Sequence, residues 1–416
     1  MSVNSMTVEQ AAAYLGAIVS QMQGGALSTV SSGNFTSVAQ NALRMGYDPL
    51  STAISQVISR TIFSIRPYSG KLRGLLKEPT RFGGMIRKIN YIDGALEDDQ
   101  GLYLTGTTPY ANGNVPTPDQ YAIRKPATWQ SNFYGSDVYQ RVTTRWLDQL
   151  DTAMRSAEEF GTFLAGQMQN ISDQLEQVND AKARSALINF IGGKIQLEAD
   201  SDPATHVVHL FTDYAADTGV TLTLANYMAP SNYKPFVEWL YAKIATLADL
   251  MSERGHNFNF SPTLGGSKAY IERHTPKDRL KAYFIASEFN RIQSMAISEV
   301  FNKEELKMID FEPINFWQSA ADPYNIDAEV TVNDTAVNIT SATTNDLTTD
   351  PIDTATAGTP VLGVLFDDEA IGMSIVSEGV YTTPMHITGK YWNTAYHFNV
   401  RILNDFTENG VVLMLD

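Results

Sequence analysis

Apolar residues recur at threes and fours through Leu150, Met154, Ala157, Phe160, Leu164, Met168, Ile171, Leu175 and Val178, the spacing that puts side chains on one face of an α-helix. No proline falls between Leu147 and Ile191, so the pattern predicts one amphipathic helix over that stretch, stopped by Gly192-Gly193. At 1.5 Å per residue it is about 65 Å long. Its steps do not sustain a heptad, and Phe160 and Phe163 suit packing on a sheet, so it reads as a spine lying along a sheet and not as a coiled coil. Pro235, followed by Phe236, Val237, Leu240, Tyr241, Ile244, Leu247 and Met251, predicts a second helix starting at that proline and packed beside the spine. Helical periodicity returns over Leu280 to Phe301.

Alternation takes over elsewhere. Arg81 to Asp93 reads as a strand, a polar Gly- and Pro-containing connection follows, and strand character resumes over Tyr121 to Thr144. Two strands with a long tip make a protruding hairpin. Such a ribbon cannot bury both faces against its own body, which predicts a partner surface. Residues 326–359 are rich in Thr, Asn, Asp and Ala, with short alternating runs on either side of Asn333-Asp334, and read as a hairpin or surface insertion. Val361 to Phe366, Tyr396 to Leu403 and Val411 to Leu415 read as closing strands. Residues 1–56, rich in Ser, Gly, Ala and Gln, read as an extended arm with short helical pieces.

The net charge of −16 over 416 residues hides an asymmetry. Residues 1–92 hold nine basic and three acidic side chains, a net of +6, and the other 324 carry −22. A basic arm of this kind suits the acidic body of a neighbouring copy or a polyanion, although an ordinary solvated surface would also look like this. The absence of cysteine removes thiolate nucleophiles, cysteine zinc sites and disulfides. No stretch reaches the ~18 apolar residues of a membrane helix, and Ala11 to Val19 follows Glu9 in place of the basic cluster of a signal peptide.

Candidate chemistry is thin. His206 and His209 are three apart in a β-branched run, which puts them on opposite faces of a strand and off a common metal. Gly265-Gly266-Ser267-Lys268 lacks the first glycine of a phosphate loop and reads as a turn. Asp367-Asp368-Glu369 follows a strand and reads as a cap for the next turn before it reads as a cation site. No catalytic, cofactor-binding or metal-ligating residue is assigned, and no nucleic-acid recognition module is present.

Several runs are nonetheless distinctive together: RTIFSIRPY (60–68), QSNFYGSDVY (130–139), SAEEF (156–160), NFIGGK (189–194), ERHTP (272–276) and NFWQS (315–319). GVLFDDEA (363–370), YWNTAYHF (391–398) and DFTENG (405–410) join them near the end. Over about residues 57–416 the chain resembles major capsid proteins of small, short-tailed bacteriophages. The resemblance implies an α+β, HK97-like capsid fold: an N-terminal arm (1–80), an extended hairpin loop (81–144), and a peripheral domain with a spine helix (145–260). An axial domain (261–365) carrying the polar insertion 326–359 follows, and closing strands (366–416) return to the peripheral domain.

The function so implied is a structural one: a non-enzymatic subunit that self-assembles, through hexamers and pentamers, into an icosahedral head around non-specifically packaged double-stranded DNA. Its place is then the virion, after assembly in the host cytoplasm. A separate scaffolding protein and a portal are expected partners, and a membrane is not. Arg60, Arg66, Lys71, Arg73, Arg81, Arg87 and Lys88 of the basic segment, with Asp98, Asp99 and Tyr110 of the loop, are the expected inter-subunit contacts. Some relatives cross-link a lysine to an asparagine in their loops, but the tip between Asp93 and Tyr121 has no lysine. The alternatives are an encapsulin-like cargo shell, which shares the fold class, and an enzyme of unknown type.

Overall fold

The computed structural model describes residues 8–22, 30–31, 33–45, 48–50, 52–54, 72, 75, 85–92, 127–134, 137–200, 202–264, 267–288, 290, 310–321, 323–324, 326–332, 335–340 and 360–416. Two helices come first, α1 (Val8–Met22) and α2 (Phe35–Arg44). Strands β1 (Met85–Ile92) and β2 (Ala127–Tyr134) pair as a two-stranded ribbon, and β3 (Asp137–Trp146) follows directly. Then come α3 (Leu147–Ala153), the 43-residue α4 (Ala157–Ala199), β4 (Val207–His209), α5 (Leu210–Thr218) and α6 (Pro230–Ser252). The rest is β: β5 (Thr263–Leu264), β6 (Ser267–Lys268), β7 (Leu280–Ile285), β8 (Asp310–Ile314), β9 (Asp327–Val332) and β10 (Thr335–Thr340). It closes with β11 (Val361–Asp367), β12 (Ile371–Thr382), β13 (Tyr391–Asn404) and β14 (Gly410–Met414). The α+β class expected from the sequence is the one observed.

The chain divides into two compact units. The first comprises residues 1–84, 134–187 and 371–404. Its antiparallel sheet, in the order β12-β13-β3, buries Trp392, Tyr396 and Phe398 on one face. Against that face pack α1 through Leu15 and Ile18, α2 through Phe35, α3 through Leu150, and α4 through Phe160, Leu164, Ile171 and Leu175. The expected spine therefore does lie along a sheet, but it begins later than the periodicity suggests. Ser156 interrupts the run: its Oγ accepts the amide of Glu159 at 3.1 Å, an N-cap that starts α4 afresh. The arm is tied down as well, since the Asp48 carboxylate accepts Trp392 Nε1 at 2.6 Å and the amide of Met385 at 3.0 Å.

The second unit comprises residues 85–133, 188–370 and 405–416. Its five-stranded mixed sheet runs β4-β14-β11-β7-β8, with β4 parallel to β14 and β8 parallel to β7. Helices α5 and α6 cover one face, where Phe236, Leu240 and Ile244 meet Ala282, Phe284, Leu365, Val411 and Leu413. On the other face Tyr283 stacks on Phe366 at 5.7 Å, and Phe190 from α4 tilts against Phe366 at 5.8 Å. Both faces are buried, so β11 and β14 read as unbroken apolar runs. Gly219, at φ 75°, ends α5 in the left-handed conformation that glycine adopts without strain.

Several expectations need correction. Gly192-Gly193 does not stop the helix, which runs on to Ala199; Phe406 occupies the space where a Cβ on Gly193 would stand, so this glycine serves close packing. The second helix starts at Pro230, whose missing N–H costs nothing in a first turn. Pro235 forgoes one bond a turn later. Its apolar face is completed by α5 and the sheet. Leu280 to Ile285 is a central strand and not a helix, because a short apolar run rich in aromatic and β-branched residues fits either period; residues 291–309 lie outside the described residues. Strand β12 has no counterpart in the sequence reading. The five-stranded sheet draws strands from segments on both sides of residues 260 and 365, so those boundaries do not coincide with the units. The hairpin expected across Asn333-Asp334 is present, with Val332 opposite Thr335.

Candidate inter-subunit surfaces

Strand alternation gives β1 two different faces. Lys88 and Asn90 turn inward to the 405–409 turn. Lys88 Nζ lies 2.6 Å from the Asp405 carboxylate and 2.5 Å from that of Glu408, while Asn90 Nδ2 donates to Thr407 Oγ1 at 3.1 Å. Arg273 reaches the same turn, donating to Asn90 Oδ1 and lying 3.1 Å from Glu408. Burial pulls the Lys88 ammonium down, but Asp405 and Glu408 outweigh it and hold it above the ordinary lysine value. Burial likewise raises the Glu408 carboxyl, against the pull of Lys88 and Arg273. With the inward face fixed, Arg87, Ile89 and Tyr91 point out, and Ile89 and Tyr91 are 52% and 68% exposed.

Beneath this latch lies a buried lysine. Lys194 of α4 is fully buried; its Nζ donates to the Phe258 carbonyl at 3.0 Å and sits 3.5 Å from His206 Nδ1. His206 Nε2 is 3.1 Å from Asp202, which also holds Lys268 at 2.6 Å. Burial lowers Lys194 to about 7, against the pull of Asp405, Asp202 and Glu408. Burial lowers His206 too, outweighing Asp202, and its Nδ1 faces the Lys194 amine.

The first unit has an open face of its own. The side of the β12-β13-β3 sheet opposite the core carries Val138, Val142 and Trp146 from β3 and Tyr381 from β12, exposed by 66%, 46%, 48% and 67%. The register lines up Val142, Ala395 and Tyr381 as one apolar row across three strands. Tyr381 meets His397 edge-on at 5.3 Å, and Trp146 tilts against Tyr391 at 5.3 Å. An antiparallel sheet usually turns polar residues to water on such a face.

Of the contacts expected from the sequence, Arg87 is exposed on β1 and Lys88 is engaged within its own unit. Arg60, Arg66, Lys71, Arg73, Arg81, Asp98, Asp99 and Tyr110 lie outside the described residues. The sequence reading missed Ile89, Tyr91, Val138, Val142, Trp146 and Tyr381. Its available signal was apolar residues at both parities of a strand flagged as protruding.

The other motifs take structural places. His206 and His209 face different partners, the latter bonding Asp416 and lying 3.7 Å from Glu198. Thr263 pairs with Lys268 across the Gly265-Gly266 connection, in a short hairpin. Asp367 accepts the Glu369 amide, while Asp368 and Glu369 pair with Lys281 and Arg279. A groove of about 1090 Å³ along α3 and the start of α4 is lined by Asp148, Ser156, Glu158, Glu159 and Gln167; the two glutamates sit in a helix first turn, where carboxylates are favoured. Among the described residues no group of three or more His, Cys, Asp or Glu is placed to hold a metal ion, and no helix is long and apolar enough to cross a membrane.

No protein-family model matches the sequence and no curated protein does. Among solved structures, the chain is similar to the capsid structure of Staphylococcus phage Andhra over 82% of its length and 83% of that chain, at 10% identity and a TM-score of 0.46. It is similar to a chain in the structure of the head fiber and inner core protein of native bacteriophage P68 over 83% and 85%, at 10% identity and a TM-score of 0.48. The asymmetric unit of the bacteriophage PhiM1 mature capsid aligns over 84% and 87%, at 10% identity and a TM-score of 0.41.

Proposed function

We propose that this chain is a bacteriophage major capsid protein, a structural subunit that assembles with copies of itself into an icosahedral head around double-stranded DNA. The observation that carries this reading is the pair of uncovered apolar surfaces, the Ile89/Tyr91 ridge of β1 and the Val138/Val142/Trp146/Tyr381 face of the sheet. Among the described residues neither is covered by its own unit, and each suits contact with a neighbouring copy. The sequence resemblance over residues 57–416 supports the same conclusion, as does the arm, hairpin, long helix and sheet order of the elements. Hexamers and pentamers, a separate scaffolding protein, a portal and non-specifically held DNA are the partners this role entails.

Electron microscopy and sedimentation of the purified chain, concentrated in the presence of a crowding polymer, test the reading. Closed shells of uniform diameter are expected. The Ile89→Ser/Tyr91→Ser double variant should keep the circular dichroism of the parent and lose the shells. Native particles built of this chain are the deciding case: if the chain isolated from its source is a small discrete oligomer and no shell contains it, the proposal is overturned. Native particles should protect double-stranded DNA from nuclease; a protein cargo in its place would make the chain a cargo container.

A further inference from the structure

The polar cluster under β1 joins four stretches of the second unit, and its charges can be counted. Three cations, Lys88, Arg273 and Lys268, face three carboxylates, Asp405, Glu408 and Asp202. Among the described residues the cluster also holds His206, between Lys194 and Asp202, and Glu198, whose carboxylate accepts the amides of His206 and Val207 and lies beside His209. With β1 in place the carboxylates are matched, and Lys194 has no counter-ion of its own. Its direct polar partners are a carbonyl and an imidazole nitrogen, both of which an uncharged amine can satisfy.

We infer that Lys194 is a stand-in cation for Lys88: when β1 leaves the 405–409 turn, Lys194 takes a proton from solvent on its Nζ lone pair and neutralises the carboxylate charge that Lys88 abandons. The hairpin is then a proton-linked latch, because stripping Lys88 from Asp405 and Glu408 leaves two buried carboxylates with Arg273 as their one remaining ion-pair partner among the described residues. An uncompensated buried charge is costly, and Lys194 is the neighbouring base able to relieve it. Release of β1 is therefore coupled to proton uptake above about pH 7, the range in which the latched amine, lowered to about 7 by burial, is mostly uncharged. At lower pH, protonation of Glu408 adds a second, separate route to release. The device works inside one chain and holds whether or not copies assemble.

Two measurements on the full chain test it. In Lys88→Met protein, the NMR titration of the Lys194 side chain should move up by about one unit or more, the effect of newly unmatched carboxylates; an unchanged titration overturns the inference. The chain has no cysteine, so spin labels at Tyr91→Cys and Asp249→Cys report the distance from the hairpin to α6. A longer-distance population should grow as pH falls from 9 towards 7, by up to about tenfold per pH unit for a single linked proton, and level off below 7, where the latched amine is already protonated; the growth should be absent in Lys194→Met. A single distance at every pH, or a response between pH 9 and 7 that survives in Lys194→Met, overturns it. If Lys194→Met fails to fold, the Lys88→Met titration decides alone.

Discussion

The ring of Phe406 stacks on Phe190 at 5.6 Å and stands directly over Gly193, where an added Cβ would meet ring carbons at 2.2 and 2.4 Å. Gly193→Ala should therefore destabilise the protein by about 1–3 kcal/mol through overpacking, less the roughly 1 kcal/mol that alanine gains over glycine within a helix. In a Phe406→Ala background the same substitution should become neutral or favourable. Chemical denaturation of the four proteins of this cycle gives the coupling, and additivity would show that the ring is not the obstacle.

Asp48 ties the arm to the first unit's sheet. In Asp48→Ala the Trp392 indole N–H loses its acceptor, at a cost of about 1–3 kcal/mol for a desolvated donor left unmade. Limited proteolysis should then cut within residues 8–54 faster than in the parent, with the cleavage pattern elsewhere unchanged.

His209 gives a pH dependence whose sign is fixed. Hydrogen bonds that its ring N–H groups donate to Asp416 and Glu198, opposed by burial, raise it from 6.5 to about 10. A raised value means that the folded chain holds the proton more tightly than the unfolded one. The contribution is complete below pH 6.5 and disappears as pH rises through about 10. The melting temperatures of the parent and His209→Gln should differ most near pH 6 and converge above pH 10; because the ring is partly exposed, the difference should be small.

Lys194 has the opposite sense. Its value is lowered from 10.5 to about 7 by burial, so the folded chain sheds stability as pH falls from 10.5 to 7 and no more below that. Lys194→Met, which removes the buried amine and keeps its volume, should melt above the parent at pH 6 and approach it towards pH 10.5. Equal melting temperatures at pH 6 would show that the amine carries no penalty.

What the sequence disclosed depended on range. The Phe160-Leu164-Ile171-Leu175 stripe and the alternation of β13 are local periodicities imposed by one buried face, and both stand in the structure. The Asn333-Asp334 turn was legible for the same reason. Leu280 to Ile285 was not, because a strand buried on both sides loses the alternation that identifies strands. Gly193 misled because its use is set by Phe406, more than two hundred residues away. The latch was invisible for a related cause: Lys88 and Glu408 are 320 positions apart, and nothing near either announces the other. The charge imbalance of residues 1–92 pointed at the right segment but not at the Ile89 and Tyr91 ridge, since apolar exposure appears only once the inward face of β1 is known.

The position of β14, hydrogen-bonded between β4 and β11, has a consequence for synthesis. A sheet whose inner strand is residues 410–414 cannot close while those residues are still in the ribosome. At ~5–20 residues per second, the stretch from β4 to β14 takes on the order of tens of seconds to emerge, and until it does β4 lacks its neighbour in the sheet and β11 lacks one of its two.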